Sequence, residues 1–256
     1  MLRAAVVVLA GGSGSRVGAG VNKVYLPLAG RRVVSWSLSW AAQVPEVATL
    51  VLVVRPEDVP LAEAVVGAEA LGVDVRIVVG GSTRHASEDA ALALLAPAVQ
   101  TGELDVVAVH DGARPLAGPS LYGSVIRVAD AVGGAVPVLP ARGVLPMGAD
   151  GQPRTRRPAA PPEGQLLVPG VGTPTSRLRL ARVQTPQAFR ARDLLAAYAA
   201  AHEAGFRGTD TASSIEAFSD LTVRTVPGSA LNLKVTYPSD LVVAEHLLGD
   251  HRHRLL

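Results

Sequence analysis

Residues 4–10 carry no polar side chain, and the run stops abruptly at Gly11-Gly12-Ser13-Gly14-Ser15. A short, Val-rich apolar run reads as a strand buried on both faces, which belongs in a parallel sheet covered by helices. The glycines after it let the backbone turn tightly and bring successive N–H groups close to an anion. Two cations come next, Arg16 and Lys23. Arg offers a planar fork of donors and Lys a point charge, and both suit phosphate. The stretch therefore predicts a nucleoside-triphosphate loop at the carboxyl end of a first parallel strand, where open α/β sheets place their ligands. There is no G-x-x-x-x-G-K-[ST], and Val17 stands where the third glycine of G-x-G-x-x-G would fall. The bland alternative is a Gly-rich strand-to-helix turn with both cations solvated.

Further Val-rich runs at 47–54, 73–79, 104–109 and 134–139 alternate with helical segments at 33–43, 57–70, 84–97 and 119–131. Strands alternating with helices predict right-handed crossovers and a Rossmann-like α/β fold, its mainly parallel sheet flanked by helices on both faces. Trp36 and Trp40, four apart, predict one helix face packed on the sheet. The 256 residues allow one large or two small domains. Residues 146–176 are dense in Pro and Gly and predict an extended excursion, not a packed element. The segment beyond the excursion cannot make a core of its own and completes motifs begun before it. We therefore expect a single domain, 1–256, with an arm inserted at about 141–182.

Composition excludes several classes. Without cysteine there is no disulfide, no thiolate metal site and no Cys nucleophile. Met1-Leu2-Arg3 leads straight into the first strand, which is no secretory signal. The apolar runs are too short to span a bilayer, so we expect a cytoplasmic protein with no membrane contact. A net charge of +2 gives no ground for a nucleic-acid surface.

Other stretches carry chemistry. Gly80-Gly81-Ser82-Thr83-Arg84-His85-Ala86-Ser87 ends a strand and caps a helix with Ser82 or Thr83. A lone His85 receives no role. His110-Asp111-Gly112-Ala113-Arg114-Pro115 places an acidic side chain at a strand mouth. There it can hold Mg²⁺ directly or through water, accept from a substrate hydroxyl, or simply serve the turn and pair with Arg114. Thr209-Asp210 is equally an N-cap.

Taken together, these stretches resemble the 2-C-methyl-D-erythritol 4-phosphate cytidylyltransferase family and its polyol-phosphate relatives among the nucleotidyltransferases. The resemblance rests on L-A-G-G-S-G-S-R with Lys23, on Gly80-Gly81-x-x-Arg84-x-x-Ser87, on H-D-G-A-R-P, on Thr185-Pro186-Gln187 and on Asn232-Leu233-Lys234-Val235-Thr236. It implies CMP transfer from CTP to methylerythritol 4-phosphate, with release of pyrophosphate, in isoprenoid precursor synthesis. It implies Mg²⁺ as cofactor. It assigns catalysis to Arg16 and Lys23. Nucleotide binding falls to Ala10, Gly11, Gly12, Ser13, Gly14, Ser15, Gly81 and Ser87. Acceptor binding falls to Asp111, Arg114, Arg177, Thr185, Thr209 and Lys234. In the family the excursion is a β-arm that crosses to a second subunit, so a homodimer is expected. Arg177 would enter the partner's site, with Arg179 and Arg182 as neighbours able to replace it. The chain departs from the family at Pro140-Ala141, where relatives carry an Asp-Thr pair whose Thr helps bind the acceptor. Ribitol 5-phosphate or another polyol or sugar phosphate is therefore the alternative acceptor, and an inactive nucleotide-binding paralogue the non-enzymatic alternative.

Overall fold

Strand β1, Ala4–Leu9, is apolar because neither of its faces meets water. Its side chains alternate between two cores: Ala4, Val6 and Val8 enter one, and Ala5 and Val7 the other. This is the period-two geometry of a strand between two helical layers. The computed structural model describes residues 1–12, 21–69, 71–141, 181–206 and 208–254.

β1 lies at the centre of the sheet, parallel to β4 (Val47–Val54) on one side and β6 (Val106–Asp111) on the other. β5 (Asp74–Val79) extends the sheet in parallel beyond β4. Beyond β6 comes β9 (Gln187–Arg190), which runs antiparallel to both β6 and β7 (Gly134–Pro140). β10 (Val223–Pro227) closes that edge in parallel with β7. The order is thus β10-β7-β9-β6-β1-β4-β5, with β8 (Ala181–Val183) paired to β7. A small hairpin joins β2 (Pro27–Leu28) to β3 (Arg31–Arg32).

Helices α1 (Val33–Ala42), α2 (Val59–Ala68) and α4 (Gly118–Val132) cover one face, supplying Leu38, Val65 and Ile126 to its core. Helices α3 (Arg84–Gln100), α5 (Ala191–Glu203) and α6 (Thr211–Phe218) cover the other with Leu92, Leu194 and Ile215. The helix ends obey local chemistry. The Thr83 hydroxyl accepts from Ala86 N at 3.1 Å and starts α3. Gly133, at φ +124°, ends α4 in a conformation that side chains disfavour.

The sequence places Trp36 and Trp40 against the sheet. Trp36 instead joins a third core with Leu28, Leu116, Val235 and Leu248, beneath α7 (Pro238–Arg254). α1 is apolar on more than one side, and its second side is covered by the last helix. That third core ties the segment carrying Lys234 to the body of the sheet.

β7 and β8 flank the excursion and pair antiparallel, Pro140 opposite Ala181, so the chain leaves and re-enters at one point. No helix among the described residues is long and apolar enough to cross a membrane.

Candidate active site

The carboxyl ends of β1, β5 and β6 open on one cavity of about 550 Å³. Gly11 and Gly12 form its wall after β1, Gly81 to Arg84 and Ser87 its wall after β5, and Asp111 its floor after β6. Lys23, Lys234 and Thr209 also line it. Among the described lining residues three cations, Lys23, Arg84 and Lys234, face one carboxylate, so the cavity attracts anions.

The wall after β5 is tightly built. A Cβ on Gly80 would lie 2.7 Å from Ser87 Oγ, and one on Gly81 would lie 2.4 Å from Ala86 Cβ. Only glycine lets this turn close onto the first turn of α3. The Ser87 hydroxyl donates to Thr83 O at 2.9 Å and sits at the cavity wall.

Asp111 is the electrostatic hub. Its Oδ1 accepts from Arg84 Nη1 at 2.5 Å and its Oδ2 from Lys234 Nζ at 2.8 Å, with Arg114 Nε 3.4 Å away. Burial pushes this carboxyl up, but Arg84, then Lys234 and Arg114, outweigh it and hold it well below the usual carboxylate range. Arg84 also donates from Nε to Glu88 Oε1 at 2.9 Å, while its Nη2 is buried without a partner among the described residues. Glu88 is in turn held by the Tyr198 and Thr211 hydroxyls.

Beneath Asp111 lies His110, fully buried. Burial lowers its pKa to about 4, so the ring is neutral. Arg114 O, 3.2 Å from Nε2, can only accept, so Nε2 carries the proton and Nδ1 is the acceptor. Thr185 then donates its hydroxyl proton to Nδ1 over 3.2 Å, and its oxygen accepts from Asp111 N at 2.9 Å.

Several expectations change against this geometry. The sequence turns Thr185 toward an acceptor phosphate, but its side chain is buried and its hydroxyl faces His110 and the Asp111 backbone. Thr185 orients the floor and does not line the cavity. Ala10 stands behind the wall, not in it: its N–H donates to Val53 O at 2.7 Å and its carbonyl accepts from Asn22 Nδ2 at 2.6 Å. Arg114 approaches from below, its Nη1 donating to Asn232 O at 2.9 Å. Thr209 reaches the cavity, whereas Asp210 caps α6 and accepts from Gln187 Nε2. Arg182 is exposed on β8. Ser13, Gly14, Ser15, Arg16, Arg177 and Arg179 lie outside the described residues.

Arg84 stands in the Gly80-Gly81 motif, but sequence reasoning gives it no role in the site. Its local signal is the Glu88 carboxylate four positions on, an ordinary helix pair. Its contact with Asp111, 27 positions away, belongs to the fold.

A sequence model of the 2-C-methyl-D-erythritol 4-phosphate cytidylyltransferases matches residues 4–153 and 164–250. The chain belongs to that family. A relative carrying the family's name, from Acidobacterium capsulatum, is 34% identical over 99% of this chain and 100% of its own length. Another, from Cupriavidus pinatubonensis, is 38% identical over 93% of this chain and 91% of its own. The solved structure of 2-C-methyl-D-erythritol 4-phosphate cytidylyltransferase from Thermus thermophilus superposes with a TM-score of 0.64, at 30% identity, over 96% of this chain and 98% of that one. The 4-diphosphocytidyl-2C-methyl-D-erythritol synthase of Anaerococcus prevotii shares the fold, with a TM-score of 0.76 at 24% identity over 97% and 96% of the two chains. The family membership gives the cavity a chemical context: a site for two phosphorylated substrates matches its excess of cations.

Proposed function

We propose that the chain transfers CMP from CTP to 2-C-methyl-D-erythritol 4-phosphate. An oxygen of the acceptor phosphate attacks the α-phosphorus, the bond from that phosphorus to the bridging oxygen breaks, and pyrophosphate leaves with that electron pair. The observation that carries this reading is one cavity lined both by Gly11, Gly12 and Lys23 and by the Asp111–Arg84–Lys234 cluster. Transfers of this type are catalysed by alignment and by stabilising charge. No base is needed, because a phosphomonoester is already largely ionised near neutral pH.

Gly11 and Gly12 offer backbone N–H groups to the triphosphate, and Gly81 and Ser87 read the base. Lys23, with Arg16, stabilises charge growing on the α-phosphate. Lys234, Thr209 and Arg84 face the acceptor phosphate, and Arg177 of a second copy completes that end. The residues 1–256 act as one domain with the arm at about 141–182 joining a homodimer. We place the enzyme in the cytoplasm.

The described residues hold no group of three or more metal-ligating side chains. Asp111 is a single hard-oxygen donor on the floor, and both its oxygens already accept from Arg84 and Lys234, which fits Mg²⁺ delivered on the triphosphate and met by this carboxylate through water. Bound there, the ion would neutralise phosphate charge.

Pyrophosphate release from CTP tests the reading, with methylerythritol 4-phosphate, ribitol 5-phosphate and other polyol phosphates offered in turn. Turnover with the first acceptor is expected. Turnover only with another would keep the chemistry and reassign the acceptor, as the Pro140-Ala141 departure would suggest. CTP binding with no release for any acceptor would overturn the reading.

A further inference from the structure

β1 ends at Leu9, and the buried side chain of Asn22 reaches back to Ala10, just beyond that end. Asn22 immediately precedes Lys23 and caps the single 3-10 turn Lys23–Tyr25, its Oδ1 accepting from Val24 N at 3.3 Å. Its Nδ2 donates to Ala10 O at 2.6 Å and to Asp58 Oδ2 at 2.8 Å. Asn22 is 1% exposed and Asp58 3%. Asp58 is gripped in turn by Arg55, Nε to Oδ2 at 2.8 Å and Nη2 to Oδ1 at 2.9 Å. Arg55 directly follows β4, whose Val53 O already accepts from Ala10 N at 2.7 Å. The ends of β1 and β4 and the turn bearing Lys23 thus meet on one amide.

The arrangement has a definite chemical sense. Both of Asn22's amide protons point to groups that only accept, and its oxygen takes the one backbone N–H that starts the Lys23 turn. No rotation about the amide keeps all three bonds. Burial works to raise the Asp58 pKa, but the hydrogen bonds from Arg55 and Asn22 outweigh it and keep the carboxylate ionised. A charged acceptor roughly doubles the strength of such a bond. A side chain wanted only to satisfy the buried Ala10 carbonyl would not need an ion pair behind it.

We infer that Asn22, held by the Asp58–Arg55 pair, is a positioning residue for the reaction, fixing where the Lys23 ammonium enters the cavity. The inference rests on the reading of Lys23 as the group that stabilises the α-phosphate in the transition state. Alignment is where a small displacement is expensive: about 1 Å can cost ~10²-fold in rate.

The test is a double-mutant cycle in the purified full-length enzyme, read as kcat and both KM values from pyrophosphate release with CTP and methylerythritol 4-phosphate. Asn22→Ala is expected to lower kcat by ~10²-fold while KM for the acceptor stays within about twofold. In a Lys23→Ala background the same change is expected to do nothing further to kcat, because residues acting as a unit are not additive. Asp58→Asn, which keeps the shape and removes the charge, should show the same pattern more weakly and covers the case of an Asn22 variant that does not fold. Equal losses in both backgrounds would show a general structural role and overturn the inference while leaving Lys23's role intact. Unchanged kcat in both folded variants would overturn it too. Normal kcat in Lys23→Ala alone would remove the reading beneath it, and the inference with it.

Discussion

Asp111 Oδ2 accepts from Lys234 Nζ at 2.8 Å, across 123 positions of chain. The contact joins the mouth of β6 to the segment that the third core pins beneath α7. The same carboxylate is almost fully buried and is held far below the usual carboxylate range once Arg84, Lys234 and Arg114 overcome the effect of burial. A depressed acid contributes stability that is fully present above its unfolded pKa, ~3.9, and is lost as pH falls toward its folded value. The unfolded chain binds the proton first, so folded protein is destabilised as the medium becomes acidic. Asp111→Asn should be less stable than the parent at pH 6. Below about pH 4 the gap should shrink by ~1.4 kcal/mol per pH unit. Urea unfolding of both proteins at pH 6, 4 and 3 measures it, and a gap independent of pH would contradict the cluster.

His110 gives a second window. Its pKa is lowered by burial to about 4, so the fold favours the neutral ring. The stability this gives is complete above the unfolded value, ~6.5, and is lost as pH falls from there to about 4. The expected slope is ~1.4 kcal/mol per pH unit in that interval. His110→Gln should flatten it. The same substitution disturbs the acceptor of the Thr185 hydroxyl, so KM for the acceptor phosphate should rise as well. Unfolding curves at pH 7 and 5, with initial rates at pH 7.5, check both.

Five of the six described strands that run parallel, β1, β4, β5, β6 and β7, were legible as Val-rich runs, because the central ones are buried on both faces and largely apolar; β10 was not read. Nor was β9. It is four residues, Gln187–Arg190, inserted antiparallel between β6 and β7 with no periodicity long enough to read. The site divides in the same way. Lys23, Asp111, Ser87, Thr209 and Lys234 were legible as motif positions, and the fold brings them to one cavity. Thr185 was misplaced because a motif position does not say which atom takes a hydroxyl's proton; His110 Nδ1 does. Arg84 was visible as a motif position but without a role, because its contact with Asp111, 27 positions away, is made only by the fold.

Arg84 therefore yields a prediction of its own. Its guanidinium bridges Glu88 and Asp111 from different nitrogens and leaves Nη2 unpartnered among the described residues. A lysine carries the charge but cannot span two carboxylates and offer a third donor in one plane. Arg84→Lys should raise KM for the acceptor while leaving KM for CTP within about twofold, with catalytic efficiency down ~10-fold or more, as for loss of a charge-assisted hydrogen bond. Equal loss for both substrates would mean that Arg84 serves only the packing of α3.

The base end of the cavity can be probed without touching any charge. A methyl on Gly81 would stand 2.4 Å from Ala86 Cβ and 3.2 Å from the Ala86 carbonyl carbon, so it must push the wall from the first turn of α3. Both neighbours belong to backbone or to a side chain with no rotamer to yield. That turn carries Ser87, whose hydroxyl bonds Thr83 O at 2.9 Å, and shifting it moves the group proposed to read cytosine. Gly81→Ala should then raise KM for CTP by up to ~10²-fold and leave KM for the acceptor nearly unchanged. It should also relax discrimination between CTP and UTP, because the fixed polar group no longer meets the base edge in register. Steady-state kinetics with both nucleotides at saturating acceptor decides it: an unchanged CTP/UTP ratio in a folded Gly81→Ala enzyme would move base recognition away from Ser87.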